Sequence, residues 1–145
     1  MAAFLTANHS TRVARHGVLC RPMDHPALLA VDDTGSLTGV LTYVLDPPAC
    51  EILTLHSTVR WRGTGTALID AVRRLAVGAG CRRLWLVTTN DNVDALRFYQ
   101  RRGFHLRALR PGAVAAARRS LKPEIPDVGD HQIPLRDEIE LAMAL

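Results

Sequence analysis

The stretch Arg60-Trp61-Arg62-Gly63-Thr64-Gly65-Thr66-Ala67-Leu68 decides the reading of this chain, because it joins a strand-like run to the strongest helical pattern in the sequence. Gly63 and Gly65 lack a Cβ, so the backbone there is free to take positive φ and to approach a ligand closely. The first N–H groups of a helix have no internal acceptor, and the helix dipole places about half a positive charge on them. Such a turn holds a phosphate-like anion, and Arg60 and Arg62 add full charges; the plain alternative is a tight turn with solvated arginines. A dinucleotide fingerprint requires G-x-G-x-x-G and an acid about 20 residues on, but Leu68 holds the third glycine's place and Arg82, Arg83 and Leu84 lie downstream. A P-loop requires Lys after its second glycine, and the single lysine of the chain is Lys122.

Upstream of this turn, the apolar segments Ala27 to Val31 and Leu37 to Leu45 flank D-D-T-G-S, a hairpin signal. Asp46, Pro47 and Pro48 make a second turn, and Glu51 to Val59 follows as a strand, giving an antiparallel meander. Downstream, Leu68, Val72, Leu75, Ala76 and Ala79 form a helical stripe that ends among Gly78 and Gly80. Arg83 to Thr88 reads as a strand, and Asn90 to Asn92 supply N-cap candidates for a helix over Val93 to Arg102. Gly103 sits where a left-handed C-cap is wanted, and Phe104 to Leu109 is a further strand. Gly112 to Leu121 reads as an Ala-rich helix, and Lys122 to Pro134, with three prolines, as a loop. Ile139, Leu141, Met143 and Leu145 alternate with Glu138, Glu140, Ala142 and Ala144, a half-buried last strand whose acidic side faces solvent or a site. The first 26 residues are weakly patterned and end in R-P-M-D-H-P. The expectation is a single mixed α/β domain over residues 1–145 with an atypical segment 1–26.

The turn R-x-x-G-x-G and the block N-V-D-A-L-R-F-Y-Q-R-R-G-F, Asn92 to Phe104, together resemble the two signatures of the GNAT superfamily of acetyl-CoA-dependent N-acetyltransferases. The second block is similar to N-x-x-A-x-x-F-Y-x-x-x-G-F at every marked position, and the resemblance spans roughly Leu37 to Leu145. The ending, with L-K-P-E-I-P and I-P-L-R-D-E-I-E-L, looks like a bacterial branch of the family. The implied fold is a mainly antiparallel mixed sheet with flanking helices. Its central parallel strands, Glu51 to Thr58 and Arg83 to Thr88, splay into a V that takes the pantetheine arm.

The resemblance also implies site residues. The backbone at Leu55, His56 and Ser57 would pair with the pantetheine amides, a bulge there freeing N–H groups for the acetyl carbonyl as an oxyanion hole. Ser57 stands where Val is usual, and Val59 where Pro is frequent. Arg62, Gly63, Thr64, Gly65 and Thr66 would wrap the pyrophosphate, with Arg60 at the motif's Gln/Arg position and Asn92 on the cofactor arm. Tyr99 matches the tyrosine that protonates the leaving thiolate, a reasonable exchange for a phenol of pKa about 10; its alternative is a core aromatic beside Phe98. For the base, Glu51 comes first, six residues before Ser57, a spacing that resembles the glutamate of the histone-acetylating branch. His56 comes second, because adjacent strand residues face opposite sides, and His105 and His131 have weaker claims.

The implied activity is acetyl transfer from acetyl-CoA, a co-substrate, to a primary amine of a small molecule or peptide by direct attack in a ternary complex, without a metal. A non-catalytic acyl-CoA-binding module and an acetyltransferase acting on an RNA-borne amine are the alternatives. The 145 residues, 48% apolar, suffice for one core. Between Arg60 and Arg110 lie eleven Arg against Asp70, Asp91 and Asp94, so this stretch carries +8 and the remainder −4 of a net +4. The arginines come in pairs at element ends with few aromatics between them, which argues against a nucleic-acid surface and for a small anionic cofactor. Asp137, Glu138 and Glu140 would favour a cationic acceptor. No apolar run approaches the roughly 20 residues of a membrane span, and Met1 to His16 has no signal-peptide h-region, so a cytoplasmic location is expected. Seventeen Arg to one Lys fits a GC-rich bacterial genome, and three distant Cys suggest buried thiols rather than a disulfide framework or metal site. Homodimers are common in the family.

Overall fold

A computed structural model of the chain describes residues 1–60 and 62–145. In chain order its elements are α1 Ala2–Ala7, β1 Val13–Arg15, β2 Val18–Cys20, β3 Ala27–Val31, β4 Leu37–Asp46, β5 Ala49–Ser57, α2 Thr64–Gly78, β6 Arg83–Thr89, α3 Val93–Arg101, β7 His105–Arg110, α4 Ala113–Ser120 and β8 Glu138–Ala144. Short 3-10 turns lie at Pro22–Asp24 and Asp130–Gln132. The sheet is mostly antiparallel with one parallel pair and flanking helices, the mixed α/β class expected. By contacts the chain divides into a unit of Met1–Arg12, Arg21–Leu84 and Ala144–Leu145, and a unit of Val13–Cys20 and Trp85–Met143. No helix among the described residues is long and apolar enough to cross a membrane.

In the first unit β3, β4 and β5 form the expected meander, β3 antiparallel to β4 and β4 to β5. The β3–β4 turn is closed by Asp32, whose Oδ1 accepts the N–H groups of Thr34 and Ser36, while Gly35 takes φ of +81°. Val40, Leu41 and Thr42 are all fully buried, so β4 is covered on both faces, and the Thr42 and Thr54 hydroxyls satisfy each other at 2.7 Å. α2 packs on these three strands through Leu68, Ile69, Val72 and Ala76, the face its periodicity marks out. Its close approach depends on Gly39, where a Cβ would stand 2.7 Å from the Thr64 Cγ2 methyl and 3.0 Å from Leu68 Cδ1.

In the second unit the strand order is β6-β8-β7, with β7 antiparallel to β8. The connection from Leu121 to β8 lacks long elements, as expected, but is pinned. Arg118 donates to the carbonyls of Ile125, Pro126 and Leu135, and Asn90 holds Pro134, Arg136 and Asp137. Asp91, 5% exposed, accepts the Thr89 hydroxyl and the Asp130 N–H, and a side chain at Gly129 would collide with its carboxylate.

Within the first 26 residues α1 buries Leu5, and β1 pairs with β2 across a two-residue turn, His16 and Gly17, at φ of 50° and 72°. The signal was present as V-A-R-H-G-V-L-C, a glycine-bearing pair between apolar residues. Of the two expected settings for the acidic side of β8, solvent or a site, solvent does not apply, since Glu138 and Glu140 are 4% and 7% exposed.

Candidate active site

The first unit carries the glycine turn. Gly63 is the N-cap of α2 at φ of +81°, a conformation that favours a residue without Cβ. The first helical bond runs from the Ala67 N–H to the Gly63 carbonyl at 2.9 Å, so the N–H groups of Thr64 and Gly65 lie ahead of it at the helix start. No acid stands in this first turn, and Arg60 and Arg62 are exposed just before it. Gly65 departs from expectation: it is helical, and only Gly63 uses positive φ.

Leu55, His56 and Ser57 close β5 opposite Leu41, Val40 and Gly39 in regular register. The expected bulge lies elsewhere: Thr42 stands opposite Thr54 and Tyr43 opposite Ile52, so the extra residue is Leu53. Glu51 lies beyond that bulge, opposite Val44 and 6% exposed. His56 is half-buried, and its Nε2 lies 2.7 Å from the Ser10 Oγ. Burial lowers its imidazole from the usual value.

The second unit carries the second signature. Asn92 caps α3, its Oδ1 accepting the Ala95 N–H at 3.2 Å, and Gly103 ends the helix at φ of +94°. Tyr99, 8% exposed, packs edge-to-face against Phe98 and Phe104 at centroid distances of 5.2 and 5.3 Å. Burial raises its phenol above the ordinary range, so the hydroxyl keeps its proton. Of the other histidines, His105 is exposed on β7, and His131 lies at φ of 56° with Nε2 3.8 Å from Asp94.

Sequence reasoning missed a cluster around the β1–β2 turn. The His16 N–H meets the Glu138 carboxylate at 3.2 Å, its Nε2 lies 3.2 Å from Glu140, and its ring stacks on Trp85 at 5.2 Å. Arg110 binds Glu140 at 3.0 Å and lies 3.5 Å from Glu138, with Arg107 3.8 Å from Glu140. Asp137 accepts the Gly112 N–H at 2.8 Å. The three acids expected to favour a cationic acceptor are thus engaged within the chain. Nothing in the sequence announced His16, because its backbone partner Glu138 lies 122 residues away.

A mixed sheet, a glycine turn opening a helix after β5 and a capped helix after β6 define an acyltransferase-type α/β fold. Residues 6–104 match the profile of the Acetyltransferase (GNAT) family, and the chain belongs to this family. It is 49% identical over 110 residues to the uncharacterized protein YdhI of Bacillus subtilis (strain 168), covering 76% of this chain and 68% of that one. It is 40% identical over 126 residues to YxbD of the same organism, covering 87% and 77%. Among solved structures, an IAA acetyltransferase from Bacillus cereus ATCC 14579 superposes with a TM-score of 0.70 at 26% identity, over 82% of this chain and 77% of that one. A GNAT family acetyltransferase from Elizabethkingia anophelis with acetyl-CoA bound shares the fold with a TM-score of 0.71 at 22% identity, over 85% and 78%.

Proposed function

We propose that this chain is a bacterial, cytoplasmic N-acetyltransferase that moves the acetyl group of acetyl-CoA onto a primary amine of a small molecule or peptide, by direct attack in a ternary complex. The observation that carries the reading is the start of α2: a left-handed Gly63 cap, the N–H groups of Thr64 and Gly65 ahead of the first helical bond, no acid in the first turn and two exposed arginines before it. That arrangement fits the pyrophosphate of coenzyme A. The family membership and the acetyl-CoA held by the Elizabethkingia neighbour support the same ligand.

In this reading Arg60, Arg62 and the N–H groups of Gly63 to Thr66 hold the pyrophosphate, the backbone of Leu55 to Ser57 holds the pantetheine amides, and Asn92 borders the cofactor arm. Backbone N–H groups of β5 polarise the thioester carbonyl and stabilise the oxyanion as the amine attacks. Tyr99, whose hydroxyl burial keeps protonated, gives its proton to the departing thiolate. A proton acceptor for the amine comes from β5, which carries Glu51 and His56.

Acetyl-CoA offered with polyamines, aminoglycosides, amino acids and peptide N-termini tests the proposal, reading free thiol and product mass. One amine class is expected to release thiol and gain an acetyl group. A chain that binds coenzyme A but releases thiol with none of them is a binding module instead. Tyr99→Phe is expected to lower kcat about 10- to 100-fold while leaving acetyl-CoA affinity within about twofold.

A further inference from the structure

We infer that His56, with its tautomer fixed by Ser10, accepts the proton of the incoming amine through Nδ1. This rests on the acetyltransferase reading above and names a residue pair within it. Gly39, opposite Ser57, turns its Cβ direction toward Thr64 and Leu68 of α2. His56 is the neighbour of Ser57, so its side chain leaves the opposite face of β5, where Ser10 meets it. The ring therefore projects beside the residues that carry the thioester arm, on the face away from α2. Glu51 stands on the far side of the Leu53 bulge, four residues from Leu55 and about 13 Å up the strand.

The Ser10 hydroxyl has one proton and two partners, the Asn8 carbonyl at 3.1 Å and the His56 Nε2 at 2.7 Å. In our proposal that proton goes to the Asn8 carbonyl, so Oγ accepts from Nε2, which carries the ring proton, and Nδ1 keeps its lone pair. Nδ1 has no partner among the described residues. Ser10 is itself fixed, its N–H bound to the Leu5 carbonyl at 2.8 Å. Burial keeps the imidazole neutral near pH 7, the form a base needs. The charged or titratable groups on the surrounding elements are His9 and Arg12 of the N-terminal segment, Tyr43 and Asp46 of β4, and Cys50 and Glu51 of β5, with Val40 opposite the ring.

The step balances. An ammonium acceptor gives one N–H proton to Nδ1 and becomes a nucleophilic amine. Its lone pair forms the C–N bond, its second proton leaves to solvent as the C–S bond breaks, and the thiolate takes the Tyr99 proton. Solvent then reprotonates Tyr99 and removes the Nδ1 proton, so one proton is released per turnover. His56 is the catalytic residue here, and Ser10 positions it.

Long-range 1H–15N spectra of the full chain labelled at histidine read the tautomer without any acceptor. The neutral His56 ring is expected as the Nε2–H form in the wild type and as a mixture in Ser10→Ala; an Nδ1–H form in the wild type overturns the proposal. With whichever amine of the panel turns over, His56→Gln is expected to lower kcat about 100-fold and to remove the acid limb of the kcat–pH profile. Ser10→Ala is expected to lower kcat about 3- to 10-fold at unchanged acetyl-CoA KM, with Ser10→Thr restoring it. An unaltered acid limb in His56→Gln overturns the base assignment while leaving the acetyltransferase reading intact. A chain that acetylates no amine, with the tautomer as stated, sinks that reading and the base role together.

Discussion

Burial acts in opposite directions on two side chains, one in each unit, and leaves both uncharged: it raises the Tyr99 phenol and lowers the His56 imidazole. For Tyr99 the neutral form is the proton donor, so turnover is expected to show no alkaline limb below about pH 10, and a kcat–pH profile reads this directly. For His56 the folded value lies below the unfolded one of about 6.5, so its contribution to stability is whole above that pH. The contribution is lost as pH falls through the folded value. Thermal melts at pH 7.5 and 5.5 are therefore expected to show a smaller acid loss in His56→Gln than in the wild type. Residues whose role is local were legible in the sequence: Asn92 caps the helix it precedes, and Gly103 ends it. Ser10 and His16 were not, because their partners His56 and Glu138 are 46 and 122 residues away.

At the scale of elements, the seating of α2 on the sheet rests on an absent side chain. Gly39→Ala would bring a Cβ to 2.7 Å from the Thr64 methyl, and the helix start that holds the pyrophosphate in our proposal would have to shift. A loss of about 1–3 kcal/mol in stability and a several-fold rise in acetyl-CoA KM are expected. Thr64→Ser deletes that methyl, so the double variant is expected to recover most of both losses; an additive double variant would mean that the contact does not matter. The hairpin at Asp32 and the helix of the glycine turn were readable from period and turn chemistry alone. The Leu53 bulge was not, since it reflects how two strands compete for register and leaves no mark on either one.

At the scale of the molecule, the arginine excess is spread over different surroundings. Arg107 and Arg110 are engaged by Glu140 and Glu138, Arg73 lies 4.0 Å from Asp70, and Arg102 lies 3.6 Å over the Phe98 ring. Arg60 and Arg62 stay exposed ahead of α2. If they steer and hold a cofactor phosphate, acetyl-CoA KM is expected to rise about 3- to 10-fold between 50 and 300 mM salt, and Arg62→Ala to flatten that dependence. A salt-insensitive KM would remove these charges from the account. The class of fold was legible from the order of strands and helices, whereas the division into two contact units was not, because each is assembled from separated stretches.

That assembly bears on how the protein is made. The hairpin at His16 belongs to the unit that ends at Met143, and the Leu145 N–H returns to the Arg82 carbonyl. A ribosome therefore delivers β1 and β2 long before the carboxylates that receive them, and β6 before β8. Folding during synthesis from the first residue onward is closed to such a chain. Until β8 emerges, β6 and β7 lack the strand that pairs between them, and their edges stay open.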